Sequence, residues 1–360
     1  MLAPDTTVQG QSSSTTPKVF WGGPDRPSRS LRNLLEERIH AVPAGGEILW
    51  VTYYFRDENL AMALLQARQR GVRVRVAIEG NPRTGNVNSP VRKILEGASG
   101  LGPGFRAIRH RLFDNRYFRT GRLHEKLYYF SHPVPGVLVG TFNPSGSLTE
   151  DPEIIKKIGD QDRGHNVLVE ILDSILVEGL YDHANHLFST HHGPWERYLK
   201  RNNKVVTSGK TRILFFPRSK WDDFDEIFEG LEAGSTIQMA VSHLNDHRIC
   251  KRMFGLAHQG VQIEILAHDT QRRVPSWVEK QMLQNGITFK RCVLPEKLPM
   301  HNKFMLLKSP GRCIVAFGSM NLSVRSLYAN HELLVISNDY DLYQAFQCRW
   351  DEMRQEIRIF

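Results

Sequence analysis

The feature that most restricts the fold of this 360-residue chain is a plan written twice. GEILWVTYYFRDENLAMALLQARQRGVRVRVAIEG (Gly46 to Gly80) reads as a buried strand, an amphipathic helix, a glycine stop at Gly71 and a valine-rich strand. STIQMAVSHLNDHRICKRMFGLAHQGVQIEILAHD (Ser235 to Asp269) repeats that order with its stop at Gly260. Each is a strand–helix–strand unit, which implies parallel strands with a helical crossover. The match extends outward, KVFWGG (Lys18 to Gly23) resembling RILFFP (Arg212 to Pro217), and onward to RLHEKLYYF and PMHNKFMLL, then GTFNPSGSL and GSMNLSVRSL. Gly260 follows Gly71 by 189 residues (260 minus 71), His301 follows His124 by 177 (301 minus 124) and Asn321 follows Asn143 by 178 (321 minus 143). So steady an offset is hard to obtain by chance. The expected architecture is α/β: two similar lobes of mixed, mainly parallel sheet flanked by helices, related by pseudo-two-fold symmetry. Residues 1–17 are expected to form a flexible polar tail, 18–200 the first lobe and 201–360 the second, with the boundary in LKRNNKVVTSGK (Leu199 to Lys210).

The repeated His-x-Lys carries the chemistry. In an extended strand residues i and i+2 share a face, so His124 and Lys126 point one way, as do His301 and Lys303. A lone pair of this kind is an ordinary strand edge; recurrence at an equivalent place in both halves is not. The symmetry brings the two signatures to one cleft. Phosphodiester cleavage needs positive charge on the phosphate oxygens, a nucleophile, and a proton for the departing alkoxide. Two lysines with Asn143 and Asn321 would hold the oxygens, one histidine would attack phosphorus, and the other would protonate the leaving group and later activate water or an alcohol. The lysines supply the charge a metal would otherwise provide, so neither cofactor nor metal is expected. The sequence has no HExxH, no Walker-type loop and no acidic cluster of metal-binding spacing.

A net charge of +9 favours an anionic partner, nucleic acid or an acidic membrane surface. No apolar run approaches the roughly 18 residues that span a bilayer. The polar start MLAPDTTVQGQSSSTTPK lacks a signal-peptide pattern, leaving a soluble protein of unknown compartment, cytoplasmic or secreted with its signal removed. Cys250, Cys292, Cys313 and Cys348 have no metal-type spacing and read as free thiols.

The doubled HxK followed by a GSxN-like element resembles the phospholipase D superfamily over nearly the whole chain after the tail. The resemblance implies two α/β lobes with active-site strands meeting at a central cleft, and a two-step mechanism through a covalent phosphohistidine. It implies His124 as nucleophile, His301 as general acid, and Lys126, Lys303, Asn143 and Asn321 as the phosphate-binding set. In that family a carboxylate usually orients each histidine. Glu332, in NHELLVI, is expected to serve His301; Asp162 or Glu170, in GDQDRGHNVLVEI, is expected to serve His124. The chain departs from the family where HxKx4D would place aspartates, having Ser131 and Lys308 instead. The tyrosyl-DNA phosphodiesterase branch also lacks this aspartate.

Weaker features accompany these. RAIRHRLFDNRYFRTGR (Arg106 to Arg122) interleaves arginines with aromatics, as an approach for nucleic acid or phospholipid would, although such runs are usually a solvated face. Tyr53, Tyr54, His243 and Asn245 follow the first strand of each unit, where α/β sheets bind ligands. The pair in HHGPW (His191 to Trp195) lacks further ligands for a metal. GSMNLSVRSLYANHELLV (Gly318 to Val335) is similar to the matching segment of bacterial cardiolipin-synthase-like proteins. The leading expectation is therefore a metal-independent phosphodiesterase or phosphatidyltransferase acting on phospholipid head groups, in peripheral contact with an anionic membrane, its catalytic site complete in one chain. A nuclease or DNA-end phosphodiesterase is the alternative. A non-catalytic anion-binding protein is the third, disfavoured because a pure binder has no need to keep both histidines, both lysines and both asparagines.

Overall fold

The structure, a computed structural model, describes residues 17–109, 121–145, 152–158, 160–190, 203–218 and 222–359. The expected tail, HHGPW and most of the arginine–aromatic run lie outside them, as does part of the expected lobe boundary. Two sheets carry the described chain. One holds β1 (Lys18–Gly22), β2 (Glu47–Thr52), β3 (Arg73–Glu79), β4 (Phe105–Ile108), β5 (Lys126–Phe130), β6 (Gly136–Gly140) and β7 (Asn166–Ile171), in the order β1-β7-β6-β5-β2-β3-β4. The other holds β8 (Val206–Ser208), β9 (Thr211–Phe216), β10 (Thr236–Val241), β11 (Gln262–His268), β12 (Thr288–Cys292), β13 (Lys303–Ser309), β14 (Arg312–Gly318) and β15 (Glu332–Ser337), in the order β12-β11-β10-β13-β14-β15-β9-β8.

Pairing is parallel where the repeated units place it, β2 with β3 and β10 with β11, and again for β3 with β4 and β11 with β12. The other pairings are antiparallel. The sheets are thus mixed, but the expectation of mainly parallel pairing is corrected. Outside the strand–helix–strand units, short returns such as that between β5 and β6 or β13 and β14 can join only antiparallel neighbours.

The crossover helices Glu58–Gln69 and His247–His258 begin at Asp57 and Asp246, whose carboxylates accept from first-turn amides. They end where Gly71 and Gly260 take φ of 92° and 88°, the left-handed region open to glycine. Alternation along buried strands then builds three cores. In β2, Ile48 and Trp50 face the outer helices while Leu49 and Val51 face inward. In β13, Met305 and Leu307 join the outer core of their own sheet while Phe304 and Leu306 face inward. The inward faces of both sheets share one central core with the helices Ser174–Ser189 and Tyr340–Ile359, which contributes Phe346 and Trp350. The fold is five layers deep, and the lobes are fused through that shared layer.

Strand direction places the chemistry. The carboxyl ends of β2 and β6 and the amino ends of β5 and β7 fall on one edge of the first sheet, because β5 runs against both β2 and β6, and β7 against β6. In the second sheet β10, β14, β13 and β15 do the same. These edges meet. Leu123 bridges His331 and His165 bridges Met300, both in parallel sense. His124 N donates to His331 O (2.9 Å) and His301 N to His165 O (3.1 Å). The two contacts are counterparts under the expected pseudo-two-fold.

Candidate active site

His124 and His301 each stand two residues before a lysine that opens a strand, β5 or β13. The intervening residues turn the other way. Glu125 is buried between the sheets against His183 (2.8 Å), and Asn302 donates to Met353 Sδ (3.7 Å). Each lysine folds back onto its own motif, Lys126 Nζ donating to His124 O (2.6 Å) and Lys303 Nζ to His301 O (2.7 Å).

The partners of the histidines are exchanged between lobes. His124 Nδ1 donates to Glu332 Oε2 at 2.8 Å, so the carboxylate expected beside His301 serves the histidine of the opposite lobe. Glu332 opens β15, and the interlobe bridge at His331 delivers it to His124. His301 Nδ1 donates to Asn166 Oδ1 (2.8 Å), and Asp160 Oδ1 lies 3.2 Å away. Neither carboxylate expected for His124 touches it. Asp162 accepts from the backbone N of Arg29, at the start of the helix Ser30–Ala41, and Glu170 pairs with Arg38 (2.6 Å). Asn166 opens β7 as Glu332 opens β15, and both follow a histidine, His165 and His331. Matching hydroxyls support them: Thr141 Oγ1 donates to Asn166 Oδ1 (3.1 Å) and Ser319 Oγ to Glu332 Oε2 (2.7 Å).

The asparagines also differ. Asn143 Nδ2 donates to Asp160 Oδ2 (2.8 Å) and its Oδ1 accepts from Tyr54 N (3.1 Å), whereas Asn321 Oδ1 has no partner among the described residues. The glycine that ends the strand before each has a backbone reason. A Cβ on Gly140 would lie 2.1 Å from Val167 O, and one on Gly318 would lie 2.3 Å from Leu333 O. Ser131, five residues beyond Lys126, accepts from Glu47 N (2.7 Å) past the far end of β5, and Lys308 is exposed near the far end of β13. Neither position belongs to the site.

Burial and mutual repulsion set the charges. Burial, reinforced by Lys126, pushes His124 down to about 4 against the pull of Glu332, so the imidazole is neutral. His301 is also held well below its ordinary value, first by burial and then by the two lysines. Lys126 falls to about 8 through burial, and Lys303 falls well below its ordinary value through burial and the charge of Lys126. Burial outweighs the cations around Asp160 and raises it, whereas His124, Lys126 and Ser319 outweigh burial at Glu332 and keep it ionised. The site holds cations that repel one another until an anion lies between them. With Nδ1–H given to Glu332, the Nε2 lone pair of His124 is left for the cleft.

That cleft, of about 890 Å³, is lined by both histidines and both asparagines. Tyr53, Tyr54, His243 and Asn245 line it as their strand-end positions imply. Six cationic side chains complete the wall, Arg83, Arg122, Lys157, Arg272, Arg273 and Arg325, with no carboxylate among the lining residues described. Arg122, the end of the arginine–aromatic run, is therefore at the cleft, whereas Arg106 lies over Phe188. Among the described residues the one group with metal-ligand spacing is Asp25, His165 and Glu356, and Arg349 already donates to Asp25 there (2.6 and 2.8 Å). The four cysteines are free thiols.

Fold and site together define a class: a single chain whose two α/β lobes meet edge to edge and share one His-Lys-Asn constellation. The family model described as "Cardiolipin synthase, PLD-like domain" matches residues 40–169 and 231–354, and the chain belongs to this family, within the phospholipase D superfamily. The family comprises phosphodiesterases and phosphatidyltransferases. Phosphatidylserine synthase of Haemophilus influenzae Rd KW20 has a similar fold, with 11% identity and a TM-score of 0.67 over 94% of this chain and 86% of that one. Polyphosphate kinase of Porphyromonas gingivalis is also similar in fold, with 14% identity and a TM-score of 0.58 over 94% of this chain; the match spans 50% of the kinase. No curated protein matches the chain in sequence.

Proposed function

We propose that the chain cleaves the head-group phosphodiester of a phospholipid in two steps and passes the phosphatidyl group to water or an alcohol. His124 Nε2 attacks phosphorus and the bond to the leaving oxygen breaks. The departing alkoxide takes its proton from His301, which then removes a proton from the incoming water or alcohol as that oxygen displaces His124. Lys126, Lys303 and Asn321 stabilise the phosphate oxygens. Arrival of the anion also relieves the repulsion that depresses His301 and lets it carry a proton. The observation that carries this reading is the ionised Glu332 on His124 Nδ1, which fixes the tautomer a nucleophile needs. The family's description favours a lipid over other phosphodiesters, and the basic chain suits an anionic membrane surface. A nucleic-acid phosphodiester is the second reading, favoured by a cleft wall rich in cations and free of carboxylates.

Turnover of phosphatidylcholine or phosphatidylglycerol vesicles and of single-stranded and duplex DNA, side by side in chelator with His124→Ala as control, separates the two. Lipid turnover lost in the variant supports the first reading. DNA cleavage alone moves the chain to the second, and silence on both sinks each.

A further inference from the structure

The arginines of the cleft are concentrated in one place. Arg122 Nη1 and the backbone N of Arg83 both donate to Tyr53 Oη (3.1 and 2.8 Å), so these two residues bracket one phenol beside the His124 ring, 4.9 Å from Tyr53. From the second lobe, Arg272 Nη2 donates to Lys157 O (3.1 Å) and Arg273 Nη2 to the adjacent Ile158 O (2.9 Å). Ile158 packs against Tyr53 and Tyr54. Four arginines from both lobes therefore converge around Tyr53 and Ile158.

None of the four has a carboxylate partner among the described residues, although arginines elsewhere in the chain, such as Arg32, Arg75 and Arg291, do. Arg273 is buried with Nε unpartnered, and its other neighbour is the imidazole of His243 (3.3 Å). Arg83 is depressed by burial and by the charges of Arg272 and Arg122. Arg273 is buried, Arg122 half-buried, and Arg83 and Arg272 exposed at the mouth; cations gathered so closely repel one another, and a bound anion relieves that repulsion, most of all at the buried Arg273. The forked guanidinium group matches phosphate geometry.

We infer that Arg83, Arg122, Arg272 and Arg273 form a second phosphate subsite beside the histidine pair, so that the substrate carries another phosphate next to the one that is cleaved. This rests on the phospholipid reading above and narrows it to a lipid whose head group bears a diphosphate or a further phosphate ester. A nucleic-acid strand fits the same wall less well, because a backbone repeating its charge along a groove is met by cations spread along it rather than gathered at one point.

The test is calorimetric titration of the full chain with methylenediphosphonate and with orthophosphate. The diphosphonate is expected to bind at least about tenfold more tightly, from the added charge-assisted contacts. Arg83→Gln with Arg272→Gln should bring the two affinities within about twofold. If the double variant fails to fold, Arg83→Gln alone, at an exposed position, should lower the ratio. Equal affinities in the wild type, or a ratio unchanged in the variants, overturn the subsite. A ten-nucleotide single strand that binds more tightly than the diphosphonate overturns it in favour of a strand-binding groove. Selective diphosphonate binding without lipid turnover sustains the subsite while removing the lipid reading, whereas lipid turnover with equal affinities does the reverse.

Discussion

Glu332→Gln is the most informative single change, because three donors already share the two oxygens of this carboxylate. Oε2 accepts from His124 Nδ1 (2.8 Å) and Ser319 Oγ (2.7 Å), and Oε1 accepts from Asn330 Nδ2 (3.1 Å). An amide has one oxygen for these sites, so its NH2 must face a donor. If it faces His124, the imidazole moves its proton to Nε2 and loses the lone pair that attacks phosphorus. If it faces Asn330, that amide must rotate, but Asn330 Oδ1 already accepts from Arg122 N (3.1 Å). A buried donor without an acceptor costs about 1–3 kcal/mol, and loss of a hydrogen bond to a charged group costs a further ~1.5–3 kcal/mol. At roughly 1.4 kcal/mol per decade of rate, the expected loss in kcat is about 10²- to 10⁴-fold. The assay is single-turnover cleavage of bis(p-nitrophenyl) phosphate, with alkaline quench to retain phosphohistidine and measurement of its formation rate. Asp160→Asn should slow that first step far less, since Asp160 faces the other histidine across 3.2 Å. A Glu332→Gln enzyme within tenfold of wild type, or an Asp160→Asn enzyme that forms no adduct, would refute the assignment of His124 as the oriented nucleophile.

Further expectations concern the second histidine, pH and packing. His301→Ala should still be labelled by bis(p-nitrophenyl) phosphate, whose leaving group needs no proton, and the adduct should persist; rapid hydrolysis of the adduct would exclude His301 as the base. With bis(p-nitrophenyl) phosphate, whose leaving group needs no proton from His301, kcat/KM should fall below about 4 as His124 protonates and above about 8 as Lys126 loses its charge, so an acid limb near 6.5 would contradict the burial argument. Because the folded value of His124 lies below its ordinary 6.5, it should contribute about 3 kcal/mol to a loss of stability as pH drops from about 6.5 to 4, beside the buried His165, His243, His268 and His301, and His124→Gln should make that loss smaller in denaturant titrations. Trp350→Ala, in the core shared by both sheets, should cost about 3–5 kcal/mol, read as a cooperative loss of stability across both lobes rather than one.

The duplicated plan was legible because the strand–helix–strand units, the stop glycines and the HxK pairs are local patterns. The exchange of partners was not, because it depends on how two sheet edges meet, and no short window records that. Glu332 lies 31 residues after His301 in the chain (332 minus 301), which suggested a partnership within one lobe that the interlobe bridge at His331 overrides. Asp160 and Asp162 differ by two positions in one irregular segment, where direction follows from tertiary contacts rather than periodicity. A usable signal for Asn166 did exist: His-Asn at 165–166 mirrors His-Glu at 331–332, each opening the strand that follows the asparagine element. The abundance of antiparallel pairing was missed because the returns between β5, β6 and β7 carry no glycine-rich two-residue turn to announce them.

Because the acceptor for His124 lies in β15, the last strand of the second sheet in chain order, neither half of the duplicated plan holds this histidine and its anchor together. A nascent polypeptide that has completed its first sheet already displays His124, Lys126 and Asn143, yet its imidazole has no anchor until Glu332 has been translated and β15 has docked. On the proposed mechanism, a fragment that stops before Glu332 should be inert. Two separately expressed halves should therefore regain turnover only on reassembly.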